Sequence, residues 1–339
     1  MRNIYDLTLT ELEEYLISIN EKKYRGTQIY DFLYVKRVSS FDDMTNLSLA
    51  LRERLKQDFI FEQLELVKEQ VDTDVNKFLF RLSDDNLIET VLMRHNYGLS
   101  LCVSSQVGCN MGCIFCESGR LKKVRNLNAY EIISQILYVE KLCGERITHI
   151  VVMGIGEPFD NYDNIMKFVT IVNHPKGLAL GSRHITISTC GIVPKIRKFS
   201  EEPFQVNLAI SLHAPTDELR SKIMPINKVY PLKDLINEIK EYIKKTNRRV
   251  TFEYILLDNV NDRDSDAKDL AKLLKGINCY VNLIPYNESS NFTLKRSKSS
   301  QIMNFYDILK KNNINVTIRR EFGSKISAAC GQLRSNKEE

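Results

Sequence analysis

The chain has 339 residues, 43% hydrophobic and 27% charged, a globular balance that excludes disorder and leaves room for one large domain and a small one. It contains no run of about 18 apolar residues, which excludes a membrane-spanning helix, and it opens on Met-Arg-Asn with no apolar signal segment, so a cytoplasmic protein is expected. The 48 Lys plus Arg against 43 Asp plus Glu give a net charge of +5, permissive for a nucleic-acid partner but far from a strongly basic footprint.

Residues 1–60 carry helical periodicity and predict a small N-terminal domain. Thr8 and Glu11 form a capping box ahead of Leu12, Tyr15 and Leu16, and Thr27 to Tyr34 places Ile29, Phe32 and Leu33 on one face. Lys22, Lys23, Arg25, Lys36 and Arg37 stand among Tyr24, Tyr30 and Tyr34, a mixture suited to gripping phosphate and stacking bases, although a solvated charged face is the simpler expectation. From Leu64 the period changes to two. Leu64 to Val67, Val75 to Leu82 and Leu87 to Met93 predict a small antiparallel sheet over 61–98. Glu89 lies on the last of these strands between apolar residues, and an outward orientation is expected for it.

Beyond residue 99 strand and helix patterns alternate. Strands are predicted ending near Val103 and over His149 to Met153, His184 to Ser188, Val206 to Ser211, Arg249 to Leu256, Tyr280 to Ile284 and Ile314 to Ile318. Between them fall helices, among them one capped by Asn128 and Glu131 and others over Ile165 to Val172, Leu232 to Ile243, Ala267 to Leu274 and Ile302 to Leu309. Repetition of this kind predicts an α/β fold, a partial (β/α)6 barrel over 99–320, followed by a C-terminal loop over 321–339.

Four of the eight cysteines fall within Cys102 to Cys116. Cys109, Cys113 and Cys116, spaced Cys-x3-Cys-x2-Cys, turn three sulfurs toward one point. No fourth Cys or His follows at finger-like spacing, so a [4Fe-4S] cluster with one open iron suits them better than structural zinc. The other candidate positions lie at strand ends, where barrel enzymes keep their working residues. Gly154-Ile-Gly-Glu-Pro is either a ligand-approach loop or only a tight turn.

The cluster spacing, with Phe115 before the last cysteine, resembles the radical S-adenosylmethionine (SAM) superfamily. Cys-Val-Ser-Ser-Gln-Val-Gly-Cys (102–109), Arg-Asn-Leu (125–127), Met-Gly-Ile-Gly-Glu-Pro (153–158), Ser-Leu-His-Ala-Pro (211–215), Met-Pro-Ile-Asn (224–227), Asn-Leu-Ile-Pro-Tyr-Asn (282–287) and Ala-Ala-Cys-Gly-Gln-Leu (328–333) together resemble the RlmN/Cfr family of RNA adenosine methyltransferases, in that family's order. The resemblance implies an RNA-binding role for the N-terminal domain. It also implies SAM contacts at Gly156, Glu157, Ser188, Ser211, Leu212, His213 and Asn287, a proton acceptor at Glu89, a methyl-carrying Cys330 and a resolving Cys102. Cys143, Cys190 and Cys279 have no family counterpart and read as ordinary buried thiols.

C2 of adenine is unactivated, so polar methyl transfer fails there and a radical is needed. In the family two SAM molecules serve each turnover. The first methylates Cys330; the second yields a radical that takes hydrogen from that methyl group, and the carbon radical adds to the base. Cys102 then frees the product, leaving a transient Cys102–Cys330 disulfide for external reductant. The target base must be splayed out of its stack, and Lys122, Lys123 and Arg125 beside the cluster loop are equally readable as phosphate contacts or solvated cations.

The implied substrate is an adenosine of 23S rRNA at the peptidyl-transferase centre, met before full ribosome assembly, with tRNA left open as a second substrate. An external electron donor and a monomer are expected. Two alternatives stand beside this: a Cfr-type C8 methyltransferase giving ribosomal antibiotic resistance, and a non-catalytic metal-containing RNA-binding protein. Pro158 and Ala214 favour the RlmN branch, since Cfr proteins tend to carry Ala and Ser there. Nucleoside mass spectrometry of treated RNA is accordingly expected to show 2-methyladenosine, and mainly 8-methyladenosine would move the chain to the other branch.

Overall fold

A computed structural model describes residues 1–62, 64–289, 291–320, 323 and 326–333. The loop expected over 321–339 is thus described at 323 and 326–333, and its other residues lie outside the described ones.

Three helices, α1 (Leu9–Ser18), α2 (Arg25–Tyr30) and α3 (Leu49–Asp58), form the N-terminal unit, and the Thr8–Glu11 capping box is present. The helix expected over Thr27 to Tyr34 changes character midway. Its α-helical part ends at Tyr30, a π-type turn spans Asp31–Lys36, and Arg37 stops it in the left-handed region at φ 54°. This turns Tyr30 and Tyr34 inward, where their hydroxyls donate to the Leu7 and Tyr5 carbonyls at 2.6 and 3.4 Å. Neither ring is available to stack on a base. Lys23, Lys36 and Arg37 pair with Glu13, Asp31 and Glu140, so the solvated and ion-paired reading prevails there. Tyr24 is the exception, 56% exposed with the Arg25 guanidinium 5.1 Å from its ring centre.

The main sheet has ten strands: β1 (Glu65–Asp72), β2 (Val75–Arg81), β3 (Leu87–His95), β4 (Gly98–Cys102), β5 (His149–Val152), β6 (Ile185–Thr189), β7 (Asn207–Ser211), β8 (Val250–Leu256), β9 (Cys279–Pro285) and β10 (Val316–Ile318). They lie side by side in that order. Strands β1 to β4 pair antiparallel. From β4 onward every pair is parallel, giving the six strands of the partial barrel and the three-residue β10 at its edge. The antiparallel strands expected as a linking sheet therefore continue the barrel sheet itself.

Outside the barrel lie α4 (Ala129–Cys143), α5 (Tyr162–Asn173), α6 (Val193–Phe199), α7 (Asp217–Ile223), α8 (Leu232–Thr246), α9 (Asp264–Leu274) and α10 (Ser299–Lys311). Except for α7, whose Leu219 and Ile223 pack in a smaller cluster with Phe115 and Cys190, their apolar faces share one core with the strands and with the N-terminal helices, which is why Ile4, Leu12, Ile29 and Tyr30 join Ile132, Ile165 and Phe252 in a single buried cluster.

The loops above the strands are held by buried polar side chains. Arg220 of α7 has no exposed surface. Its guanidinium donates to the carbonyls of Cys190 (2.6 Å), Ser211 (3.1 Å) and Leu212 (3.1 Å) and to Asn227 Oδ1 (3.0 Å). Asn261 ties the His213 and Ile255 carbonyls together at 2.8 and 2.7 Å. Arg220→Met removes the guanidinium donor from the Cys190 and Ser211 carbonyls and from Asn227 Oδ1, while the Leu212 carbonyl keeps the Ala214 N–H at 2.8 Å; each orphaned group costs about 1–3 kcal/mol. A loss of at least ~3 kcal/mol is expected, read as a lower urea midpoint of the cluster-free protein. An unchanged midpoint would show that the loops are held by other contacts.

Candidate active site

Side chains alternate along a strand, so one face of β4 to β10 looks into the barrel and its upper positions converge at the strand ends. Cys109, Cys113, Cys116, Gly156, Glu157, Ser188, Ser211, His213 and Cys330 all border one cavity of about 140 Å³ there. Cys102, Cys116, Asn287 and Cys330 border a second, of about 60 Å³, beside it. Leu212 stands apart: its side chain lies in the core and its carbonyl is taken by Arg220.

The cluster loop is shaped by backbone geometry. Gly108 and Gly112 have φ of 72° and 65°, and a side chain at Gly108 would place its Cβ 2.2 Å from the Lys122 carbonyl oxygen. The Ile114 N–H donates to the Ile223 carbonyl at 3.1 Å, anchoring the loop to the end of α7. Burial pushes all three cluster thiols up, Cys109 to about 12. A metal bound there would displace their protons. Among the described residues no three Cys, His, Asp or Glu side chains converge as ligands of a single ion do. Cysteines spread around a cavity fit a cubane, each holding a different iron.

Cys330 is brought here from the far end of the chain. The Glu117 N–H, one residue past Cys116, donates to the Gly331 carbonyl at 2.8 Å, and Ser118 Oγ donates to the Leu333 carbonyl at 2.8 Å. Arg319, half-buried, places Nη1 3.8 Å from the Cys330 sulfur and 3.9 Å from the Met153 sulfur. Cys102 is the last residue of β4, in register with Val91 and Val151. Burial, the neighbouring Cys330 and a partial offset from Arg319 leave its thiol pushed up to about 12. The pair is reduced, as all eight cysteines are free, so the disulfide the resemblance implies is not present. Cys143 and Cys279 lie away from the site, but Cys190 borders the cluster cavity, its sulfur 3.4 Å from Met111 Sδ.

Glu89 does not point outward. It is 3% exposed and pairs with Lys77 at 3.2 Å. The register explains this: Lys77, Val91 and Cys102 are partners across β2, β3 and β4, and Glu89, two residues from Val91, shares their inward face. A carboxylate there tolerates burial because the ammonium of Lys77 is buried with it. Lys123 and Arg125 are likewise engaged, with Asp160 and with Asp84 and Glu131, whereas Lys122 is exposed.

Gly156, at φ 109°, admits no side chain, since a Cβ would meet Gln106 at 2.6 Å. Burial pushes the Glu157 carboxyl up, opposed by donors from Thr189 Oγ1 (2.7 Å), Cys190 N (2.8 Å) and Phe159 N (3.0 Å). Much of that carboxylate is therefore spent joining the loops after β5 and β6. His213, at φ 56°, is held neutral by burial, its pKa lowered to about 3. Its Nδ1 accepts from the Ile255 N–H at 3.0 Å, which leaves the proton on Nε2 as a donor for a ligand. Among the described residues, Asn287 Oδ1 and Glu253 Oε2 are buried acceptors at these cavities with no hydrogen-bond partner. Burial raises the Glu253 carboxyl. Orphaned acceptors beside the cluster cysteines fit a ligand bearing an ammonium and ribose hydroxyls, as SAM does. Sequence reasoning missed Lys77, Glu253, Arg319 and the cavity position of Cys190. Only Arg319 carried a signal, directly after the last strand.

Residues 103–274 match the radical SAM superfamily, and residues 2–60 match the ribosomal RNA large subunit methyltransferase N-terminal domain. The fold and the three-cysteine loop define a radical SAM enzyme, which carries a [4Fe-4S] cluster and uses SAM. The chain is 56% identical to a probable dual-specificity RNA methyltransferase RlmN of Geobacillus kaustophilus (strain HTA426), over 98% of this chain and 92% of that one. It is 53% identical to the corresponding protein of Spiroplasma citri, over 100% and 99%. A crystal structure of a radical SAM methyltransferase from Sphaerobacter thermophilus superposes with a TM-score of 0.94 at 44% identity, covering 99% of this chain and 100% of that one. The chain belongs to the RlmN family of radical SAM RNA methyltransferases.

Replacing Cys109, Cys113 or Cys116 by Ala is expected to abolish the brown colour and reductive cleavage of SAM. Iron analysis after anaerobic reconstitution checks this, and a variant still binding about four irons per chain would remove that cysteine from the ligand set.

Proposed function

We propose that the chain methylates C2 of an adenosine in 23S rRNA, and of tRNA as a second substrate, with Cys330 as methyl carrier, Cys102 as resolving thiol and Glu89 as proton acceptor. The observation that carries this reading is the meeting of Cys102, Cys116 and Cys330 around one small cavity. Cys109, Cys113 and Cys116 would hold the cluster, which together with SAM supplies the methyl group and a 5′-deoxyadenosyl radical.

The chain's own residues do the rest. Arg319 holds the Cys330 sulfur, the atom that accepts the methyl group, at 3.8 Å from its Nη1. Once methylated, that sulfur presents a carbon to the ring and holds the RNA covalently after addition. Glu89 is a buried carboxylate kept by Lys77 on the face that carries Cys102, suited to taking the ring proton. Asn287 and Glu253 orient ligand donors through their open oxygens. Residues 1–60 grip RNA away from the target base, with Tyr24 and Arg25 as the exposed aromatic and cation. The setting we assign is cytoplasmic, and no helix among the described residues is long and apolar enough to cross a membrane.

The two cysteine variants are expected to fail differently. Cys330→Ala lacks the methyl acceptor and yields neither product nor adduct. Cys102→Ala still methylates Cys330 and adds to the base, so a covalent protein–RNA species accumulates. A denaturing gel with nuclease digestion and mass spectrometry separates the outcomes, and a Cys102→Ala enzyme that turns over normally without bound RNA would strip Cys102 of its role.

A further inference from the structure

The barrel is open beneath its active site. Two residues before each inward site position, the chain places another inward side chain: Ser100 below Cys102, Val151 below Met153, Thr186 below Ser188, Thr251 below Glu253 and Thr317 below Arg319. All five border a cavity of about 1520 Å³ that reaches the N-terminal ends of the strands. A closed eight-stranded barrel fills this level with bulky branched side chains; here small and mostly polar ones leave it wide. Met153, Glu253 and Arg319 border both this lumen and the cluster cavity above it. In the sheet register Cys102 is partnered by Val151, and Val151 by Thr186, both of which line the lumen. Cys102 borders the cavity of about 60 Å³ that it shares with Cys330, and Met93, Met153 and Arg319 line both that cavity and the lumen.

The lower mouth is basic. Arg183, Arg248 and Arg249 border it and have no carboxylate partner among the described residues; they are engaged by Gln205, the Phe204 carbonyl and the Tyr280 ring. Lys245 and Arg320 also border it, paired with Glu201 and Asp74. Glu202 and Glu253 are the carboxylates of its wall. A lumen of this charge concentrates small anions.

We infer that this lumen admits a small anionic thiol, which reduces the Cys102–Cys330 disulfide from the side of the barrel opposite the RNA. The inference rests on the cysteine cycle proposed above. The cavities at the C-terminal face are small, about 60 and 140 Å³, whereas the lumen below them is wide. The entering thiolate bonds to Cys102 Sγ, the disulfide breaks, and its electron pair leaves on Cys330 Sγ beside the Arg319 guanidinium. A second thiol attacks the mixed disulfide, releasing Cys102 and an external disulfide. Two thiols are oxidised, one protein disulfide is reduced, and their two protons go to the cysteines.

The test starts from holoenzyme after one turnover with SAM and RNA in the absence of thiol, with the disulfide followed by alkylation and mass spectrometry. Glutathione (anionic), 2-mercaptoethanol (neutral) and cysteamine (cationic) are compared at equal thiolate concentration. Each rate is divided by that thiol's rate on an unstructured peptide disulfide, which removes intrinsic reactivity. Glutathione is expected to exceed cysteamine by about tenfold or more, the low end of electrostatic focusing. The ratio should collapse at high salt and in Arg183→Glu/Arg249→Glu. Thr186→Trp, filling the lumen, should slow all three thiols while leaving first-turnover methylation intact. Equal normalised rates, or a Thr186→Trp enzyme reduced as fast as the parent, overturn the lumen route alone. Absence of any Cys102–Cys330 disulfide after the single turnover instead overturns the cysteine cycle, and the route with it.

Discussion

The site depends on one backbone contact, the Glu117 N–H donating to the Gly331 carbonyl at 2.8 Å. It joins the residue after the last cluster cysteine to the residue after Cys330. It ties the C-terminal loop to the loop of the three cysteines and sets the distance between Cys330 and Cys116. The Ser118–Leu333 bond and the Gln332 amide donating to the Glu288 carbonyl at 3.0 Å brace the same junction. The Ser118–Leu333 bond is buried, where an orphaned backbone group is costly. The loop is thereby locked in register rather than merely laid on the surface.

Above that junction, neutrality and charge are divided between neighbours. The cluster thiols and His213 are pushed toward their neutral forms by burial. Two cations lie with them: Arg319, half-buried beside the Cys330 and Met153 sulfurs, and Arg220, buried among carbonyls. Arg319 faces the cavities. Arg220 is satisfied by four backbone and side-chain acceptors, so its charge holds loops instead.

The lower half of the barrel follows from strand number. Six parallel strands and a short seventh do not close, so the interior is not squeezed into stacked aliphatic layers. Period two then hands each strand's upper inward position to the site and its lower one to the lumen. The chemistry above and the polar space below are two levels of the same face.

Much was legible in sequence because it is local. The spacing of the three cysteines is local, and the capping boxes at Thr8 and Asn128 and the strand–helix alternation, which also depend on residues a few places apart, stand as read. What failed was orientation. Tyr30 and Tyr34 were readable as stacking rings, and a π-type turn buried them. Glu89 read as outward, and its register with β2 and β4 sent it in against Lys77. Arg319, Lys77 and the unpartnered oxygen of Glu253 were invisible because each acquires meaning from a neighbour far away in the chain. The order of elements and the reactive side chains are properties of short stretches, set by spacing and period. Which of those side chains face one another is a property of register between strands, and only the folded sheet decides it.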